Sequence, residues 1–279
     1  RVRVADGLEA LPTNLRVDAA IVTTASDLRA CAPTLHALLA RGLPVVTTCE
    51  EAIWPFLRHP ALARELDAVA RKHGGRLVGT GVNPGYLMDA VPVFATAVSR
   101  RVDSIEIHRF QDATTRRVPF QKKIGATLTP AAFKAGVKAG WLRHVGLGES
   151  LHLVAAAMGW KIDTWRESIR PVIASRRARC ALGTIQAGAA LGVHQEATGA
   201  SGGKRVLKFV FEAAIGLPDP HDRVLVRGEP DLDLRFAGGV HGDVATSSIT
   251  LNAIRPLMAS APGLHTMLSL PLVHWDRGR

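Results

Sequence analysis

Val45-Val46-Thr47-Thr48-Cys49-Glu50-Glu51-Ala52 begins apolar and turns polar and acidic within a few residues. Further on, Arg76–Gly79 repeats the pattern and opens into Gly79-Thr80-Gly81-Val82-Asn83-Pro84-Gly85. Each stretch reads as a strand buried on both faces that runs out into a short turn, the pattern of a parallel sheet flanked by helices. Open sheets of this kind place their ligands in the crevice beyond the carboxyl ends of the strands. Acid/base chemistry is therefore expected at the first turn and substrate positioning at the second.

Upstream, Val17–Val22 is a similar run ending at Thr23-Thr24-Ala25-Ser26-Asp27, and Leu28, Leu35, Leu38 and Leu39 then recur at helical spacing until Gly42. Ala52 to about Lys72 reads as a helix interrupted by Pro55 and Pro60, with Leu62, Leu66 and Val69 on one face. Strand, helix, strand, helix, strand predicts an α/β fold containing part of a doubly wound, Rossmann-type parallel sheet. Arg1–Val4 reads as a strand fragment. Because the chain opens at Arg1 rather than Met, an N-terminal truncation is expected.

From Tyr86 the pattern changes. A helix to about Val98 leads into Val102–Gln111, where alternation puts Ile105, Ile107, Arg109 and Gln111 on one face and Glu106, His108 and Phe110 on the other. A cation and an amide continuing a row of buried aliphatics predict a pocket wall. Ala131–Ala139 and Leu151–Met158 read as helices. Ile169–Ala174, Thr184–Thr198, Arg205–Ile215 and Val224–Arg227 read as antiparallel strands, the middle two joined across Gly199–Gly203. Leu207, Phe209, Phe211, Ala213 and Ile215 share a face, so one side of this second sheet is buried, and such a face commonly serves as a dimer platform. Gly242 to about Ala259 reads as a last helix, followed by an apolar tail expected to pack back on the first domain. The expected organisation has three parts. Residues 1–85 form the C-terminal part of a dinucleotide-binding domain whose first βαβ unit is missing; residues 86–239 form an α+β substrate and dimerisation domain with a mixed or antiparallel sheet; residues 240–279 return to the nucleotide-binding side.

At 279 residues, 47% hydrophobic and 21% charged, the chain is long and apolar enough for two connected cores. It has no apolar run approaching a membrane span, and a cytoplasmic location is expected. Three cysteines without CxxC spacing suggest neither a disulfide framework nor a zinc site. The net charge of +11 comes from scattered pairs such as Arg116-Arg117 and Arg176-Arg177 without interleaved aromatics, which predicts attraction of anionic ligands rather than nucleic-acid binding.

Glu50 and Glu51 have two readings: they complement a helix dipole, or one of them, half-desolvated at a strand's carboxyl end, moves protons. Gly79–Gly85 is not a phosphate-binding GxGxxG, since Pro84 stands where the third glycine belongs. Asn83, held before a proline, has a side chain of defined direction that both donates and accepts. Eleven histidines include no pair at i,i+3 or i,i+4, so no metal site is expected. His108 and His144 read as surface or hydrogen-bonded core histidines, and Ser150 and Ser168 lie outside any GxSxG setting.

Thr48–Glu51, Gly79–Gly85, Ile105–Ala113, Gln121-Lys122-Lys123-Ile124-Gly125, Val145-Gly146-Leu147-Gly148-Glu149-Ser150 and Gly242-Asp243-Val244-Ala245-Thr246, in this order, resemble the 2,4-diaminopentanoate dehydrogenase and native amine dehydrogenase family. That family is similar in fold to dihydrodipicolinate reductase. The resemblance implies an NAD(P)-dependent oxidoreductase acting on a C–N bond, with NAD or NADP as cofactor, a small amine or ketone as substrate, and a homodimer. It implies that Glu50 is the catalytic proton shuttle and that Asn83 orients the reacting groups. Arg109 and Gln111 would contact substrate, Arg109 by gripping a carboxylate, while Thr23, Thr24, Ala25, Ser26 and Cys49 would lie along the cofactor. The family's glycine-rich loop belongs to the βαβ unit expected to be missing. Dihydrodipicolinate reductase proper carries a Lys and a Ser-Gly-Thr anion site where Asp112-Ala113-Thr114-Thr115-Arg116 stands here, which disfavours its reaction. The alternatives are a reductase of that kind acting on a cyclic imine, and a catalytically dead dimeric fragment.

Overall fold

Two sheets organise the chain in the computed structural model, which describes residues 4–12 and 15–277. The first part runs β1 (Ala20–Val22), α1 (Leu28–Leu39), β2 (Pro44–Thr47), α2 (Pro60–His73) and β3 (Arg76–Gly79). The middle begins with α3 (Ala90–Ala95), β4 (Arg101–Asp112), α4 (Val118–Lys123), α5 (Pro130–Lys138) and α6 (Leu147–Ala157). It continues through β5 (Thr164–Ile173), the small hairpin β6 (Ala178–Cys180) and β7 (Gly183–Ile185), β8 (Ala190–Ser201), β9 (Lys204–Ala214), β10 (His221–Glu229) and β11 (Leu232–Ala237). The chain then returns through α7 (Gly242–Asn252), α8 (Ile254–Met258) and β12 (Gly263–His265).

The first sheet, in the order β1-β2-β3-β12, is wholly parallel. Its apolar runs follow from burial on both faces. Val45 and Leu77 face one way into a cluster with Leu28, Leu35, Leu39 and Leu66 of α1 and α2; Val46 and Val78 face the other way against Ile249, Ala253 and Leu257. Met267 and Leu270 of the apolar tail complete that second cluster. The second sheet runs β11-β10-β4-β9-β8-β5 and is antiparallel except at β4 and β9, which pair in parallel at its centre. Phe209, Phe211, Ile105 and Ile107 lie on its covered face beneath Phe133 of α5 and Leu147, Leu151 and Val154 of α6.

Several element limits differ from the sequence reading, for identifiable reasons. Pro60 begins α2 instead of interrupting it, because the first helical turn needs no N–H from its leading residue. The single helix expected over 242 to about 259 is two, since Pro256 has no N–H to offer the carbonyl four residues back at Asn252, where α7 ends. The strand expected over 184–198 is divided by a turn into β7 and β8, and the hairpin between β8 and β9 turns at Gly202-Gly203, with a register shift at Gly199/Ala200. The helix expected to run from Tyr86 to about Val98 is the short α3 followed by a 3₁₀ turn over Thr96–Val98. The strand expected over Arg1–Val4 lies outside the described residues, apart from Val4, which is not in a strand.

The two turns that carry the expected chemistry are pressed together. Glu50–Ala52 forms a 3₁₀ turn, and a Cβ on Gly79 would sit 2.6 Å from the Ala52 carbonyl carbon, a distance that backbone atoms cannot tolerate. Thr80 N–H also donates to the Thr47 carbonyl at 2.8 Å. Only a glycine at the end of β3 allows this approach. Gly79→Ala is accordingly expected to lower the free energy of unfolding by about 1–3 kcal/mol, as overpacked sites do, measured by urea denaturation.

Candidate active site

A cavity of about 870 Å³ opens at the carboxyl ends of β1, β2 and β3, walled on its far side by β4, α4 and the start of α7. Its lining brings together Glu50, Asn83, Arg109, Gln111 and the loop Thr23-Thr24-Ala25-Ser26, with Thr48 and Thr80 at the neighbouring strand ends.

The adjacent acids of the first turn have different surroundings. Glu51 accepts from the Leu28 N–H at 3.0 Å, capping α1, and meets His59 Nε2 at 2.8 Å. Glu50 lines the cavity with its side chain 20% exposed and Lys123 Nζ at 3.5 Å from Oε1. One carboxylate is thus consumed by architecture and the other is offered to the cavity. Cys49, expected along the cofactor, lies beneath the loop instead: it is fully buried and its thiol donates to the Ser26 carbonyl at 3.2 Å. Burial pushes that thiol far up from its ordinary value, with Cys31 nearby adding to the effect. Its contribution is to hold Ser26, which also accepts from the Glu51 N–H at 3.3 Å.

The second turn is held from below by Asp89, which accepts from Gly85 N–H at 2.7 Å, Ala90 N–H at 2.7 Å and Ser150 Oγ at 2.6 Å. Gly85, at φ 118, tolerates no side chain, since a Cβ there would lie 2.5 Å from the Gly81 nitrogen. Above these anchors, Asn83 Nδ2 and Oδ1 and Thr80 Oγ1 are enclosed without any partner. Buried polar atoms are rarely left unpaired, so an orphaned amide in a cavity wall marks a place where a ligand completes the bonding.

Arg109 and Gln111 do continue the buried face of β4. The Arg109 fork, however, already has partners: Nη1 donates to Asp222 at 2.7 Å and Nη2 to the Val240 carbonyl at 3.2 Å. Gln111 donates to the same carbonyl at 3.3 Å and accepts from Arg116, whose other arm meets Asp243 at 3.2 Å. Arg109 is 2% exposed and Asp222 is 3% exposed. Burial holds the Arg109 guanidinium down and the Asp222 carboxyl up from their ordinary values, against their mutual attraction. Breaking one side of such a pair costs about 3–5 kcal/mol, so Arg109 is built into the cavity wall as one half of a buried ion pair.

Several lining residues escaped the sequence reading. Lys123 and Arg116 sit in or beside quoted motifs, and Arg143-His144 directly precede another. Their partners are remote in sequence, so spacing alone carried no signal. His144, read as a surface or hydrogen-bonded core residue, stacks on Phe211 at 4.4 Å, and its Nε2 is enclosed without a partner. His108 Nε2 shares a hydrogen bond of 2.7 Å with Glu106 Oε1 on the opposite face of the sheet. Among the described residues no group of three or more His, Cys, Asp or Glu could hold a metal, and no helix is long and apolar enough to cross a membrane.

The expected nicotinamide dinucleotide can be tested against these atoms. A carboxamide-bearing ring needs both donors and acceptors, which the orphaned Asn83 amide and Thr80 hydroxyl supply at the strand ends. These residues fit the ring end of such a cofactor. The one glycine-rich turn on this sheet among the described residues, Gly79–Gly85, has Pro84 in place of the third glycine and does not fit a pyrophosphate.

The model of the 2,4-diaminopentanoate dehydrogenase C-terminal domain matches residues 86–276. The chain is 26% identical over 276 residues to the 2,4-diaminopentanoate dehydrogenase of Acetoanaerobium sticklandii, covering 96% of this chain and 78% of that one. It is 24% identical over 249 residues to the amine dehydrogenase of Streptomyces virginiae, covering 79% and 68%. Its fold is that of the amine dehydrogenase from Mycobacterium smegmatis, with a TM-score of 0.80 at 24% identity over 93% of this chain and 77% of the other.

The enclosed His144 has a consequence for stability. Burial, followed by the fields of Lys123, Arg109 and Arg143, holds its titration well below the ordinary histidine value of 6.5. The unfolded chain therefore takes up a proton near that value which the folded chain refuses, and stability is lost as pH falls below about 6.5. The slope from this group approaches about 1.4 kcal/mol per pH unit. In His144→Gln the loss of stability between pH 7.5 and pH 5, read by urea unfolding, is expected to be smaller than in the wild type by about that slope over the roughly 1.5 pH units below 6.5, on the order of 2 kcal/mol.

Proposed function

The chain belongs to the 2,4-diaminopentanoate dehydrogenase C-terminal domain family, and from that premise we propose that it transfers hydride between an amine carbon and a nicotinamide cofactor, NAD or NADP. The reaction is oxidative deamination of a small amine to a ketone and ammonia, or its reverse. The observation that carries this reading is the pairing of Glu50 with Asn83 in one cavity: a carboxylate turned to the interior beside an amide whose donor and acceptor have no protein partner.

Thr23–Ser26, Thr48 and Thr80 would hold the nicotinamide end, and when bound the cofactor supplies the acceptor for hydride. The protein's own residues do the rest. Glu50 takes a proton from the substrate ammonium, which frees the nitrogen lone pair, and releases that proton to solvent; it then takes one from the water that adds to the oxidised carbon and returns it to the departing nitrogen. Lys123, 3.5 Å from Glu50, orients that carboxylate. Asn83 accepts from the substrate nitrogen through Oδ1 and fixes its approach. The cavity walls, closed by the Arg109–Asp222 and Arg116–Asp243 pairs, limit water.

In this reading residues 1–85 and 240–279 form the cofactor side and residues 86–239 the substrate side. The open face of the second sheet, which carries half-buried His108, Phe110 and His194 together with buried Val210, supports a homodimer, and a chain of this chemistry would work in the cytoplasm. Glu50→Gln is expected to lower kcat by about 10²–10⁴-fold with cofactor Kd changed far less, followed through reduced-nicotinamide absorbance and fluorescence titration. Wild-type turnover in the variant would remove Glu50 from the reaction.

A further inference from the structure

The positive charge of this chain is concentrated on one side of it. Residues 113–148 and 168–195 together hold eleven Lys and Arg and no Asp or Glu, which equals the whole net charge of +11, so the rest of the chain is neutral. Separate in sequence, the two acid-free stretches are joined in the fold. Thr127 N–H donates to the Ala190 carbonyl at 2.9 Å, Ala190 N–H to the Leu128 carbonyl at 2.8 Å, and Ala181 N–H to Gln121 Oε1 at 3.0 Å. Charge of one sign with no acid to offset it is self-repelling and draws anions to that surface.

At the seam lies a second pocket of about 400 Å³, lined by Lys122, Ala126, Thr127, Leu128, Trp141 and Leu182. Its volume falls in the range of small-ligand sites. It shares no lining residue with the cavity that holds Glu50, and Lys123, the neighbour of Lys122 on α4, faces that other cavity. Trp141 is seated on Gly136, where a Cβ would lie 2.6 Å from the indole Cζ2, yet it remains 55% exposed. Thr127 stands at φ 75, a backbone region that β-branched residues rarely enter, and its bond to Ala190 holds it there. Strain of this kind persists where the surroundings over-determine it, and it collects at ligand clamps.

Cations surround the pocket. Lys122 lines it, Arg179 lies on the β6–β7 hairpin whose tip carries Leu182, and Arg176 and Arg177 lead into that hairpin. All four are exposed, and none meets a carboxylate among the described residues. One exposed indole provides a platform for one flat ring. Sites for single-stranded nucleic acid instead stack successive bases on several aromatics, and no second aromatic lines this pocket.

We propose that this pocket is a binding site for a nucleoside polyphosphate, its base on Trp141 and its phosphates on Lys122 and the hairpin arginines. Guanidinium forks match phosphate oxygens and an ammonium adds a compact charge, while the apolar side chains of Leu128 and Leu182 flank the ring. The assignment is independent of the reaction proposed above.

The test is calorimetric titration of the full chain with ATP and with inorganic triphosphate, for wild type, Trp141→Ala, Trp141→Phe and the double variant Lys122→Met/Arg179→Met. The wild type is expected to bind ATP more tightly than triphosphate by roughly 5- to 100-fold, the range that stacking of one base gives. Trp141→Ala loses that preference while still binding triphosphate, and Trp141→Phe keeps most of it. The double variant weakens both ligands by at least about 10-fold and flattens the dependence of affinity on salt. No binding of ATP at millimolar concentration overturns the site, and so does an ATP affinity that is unchanged in Trp141→Ala and in the double variant. Equal affinity of the wild type for ATP and triphosphate overturns the base platform and with it the nucleotide. A single-stranded oligouridylate that binds through the same residues more tightly than ATP overturns the proposal in favour of nucleic acid.

Discussion

A single buried carboxyl, Asp89, holds the two halves of this molecule in register. It is fully enclosed and accepts from a loop amide at Gly85, a helix-start amide at Ala90 and the Ser150 hydroxyl of α6. Burial alone would make a carboxyl there unfavourable and pushes its titration up; the three donors are what offset that cost. They also come from different places. Gly85 ends the turn leaving the parallel sheet, and Ser150 lies on the helix that covers the mixed sheet, so neither side of the cavity shifts without breaking a hydrogen bond in a dry environment.

Around that anchor the polar atoms fall into two populations. Those already satisfied make walls: Glu51 caps α1, Cys49 holds Ser26, Asp222 closes on Arg109, and Gln121 donates to the carbonyls of Ala113, Thr114 and Arg116, fixing the loop that leads into α4. Of those left unsatisfied, Thr80, Asn83, Arg143 and His144 line the cavity. A rigid, fully bonded frame around a few unpaired groups is the condition for positioning a substrate without reorganisation at the moment of reaction.

The parallel sheet was legible in the sequence because burial on both faces leaves an unbroken apolar signal at Val45–Val46 and Leu77–Val78, and the turns that follow are polar by contrast. The face shared by Ile105, Ile107, Arg109 and Gln111 was legible for the same reason, since alternation is a local property. What Arg109 does was not. Its partner Asp222 stands 113 residues away, and nothing near Arg109 announces it. Cys49 was misplaced because adjacency to Glu50 along the chain says little at a strand end, where successive side chains point to opposite sides. Arg143 was overlooked, and His144 was read only as a surface or core residue, because their meaning lies in partners they lack, and an absent hydrogen bond leaves no trace in spacing. β11 and the full extent of β10 escaped because their charged residues, Arg223 with Asp233 and Arg227 with Asp231, read as loop until they are seen to pair across the strands or close the turn between them.

The parallel pairing of β4 with β9 sets the order in which the molecule can be assembled. Ile105 must find Leu207, and Asp112 must find Ala214, across about a hundred intervening residues. As the chain leaves the ribosome, β4 emerges long before β9 and β10, its two neighbours, and both its edges stay bare meanwhile. Loop closure over that span is slow compared with helix formation, so α5 and α6 have time to form first and to shield the apolar side of the waiting strand. The cavity, whose far wall is that strand, is consequently among the last features to exist, and any nascent or fragmentary product lacking β9 carries the Glu50 turn without a chamber for it to face.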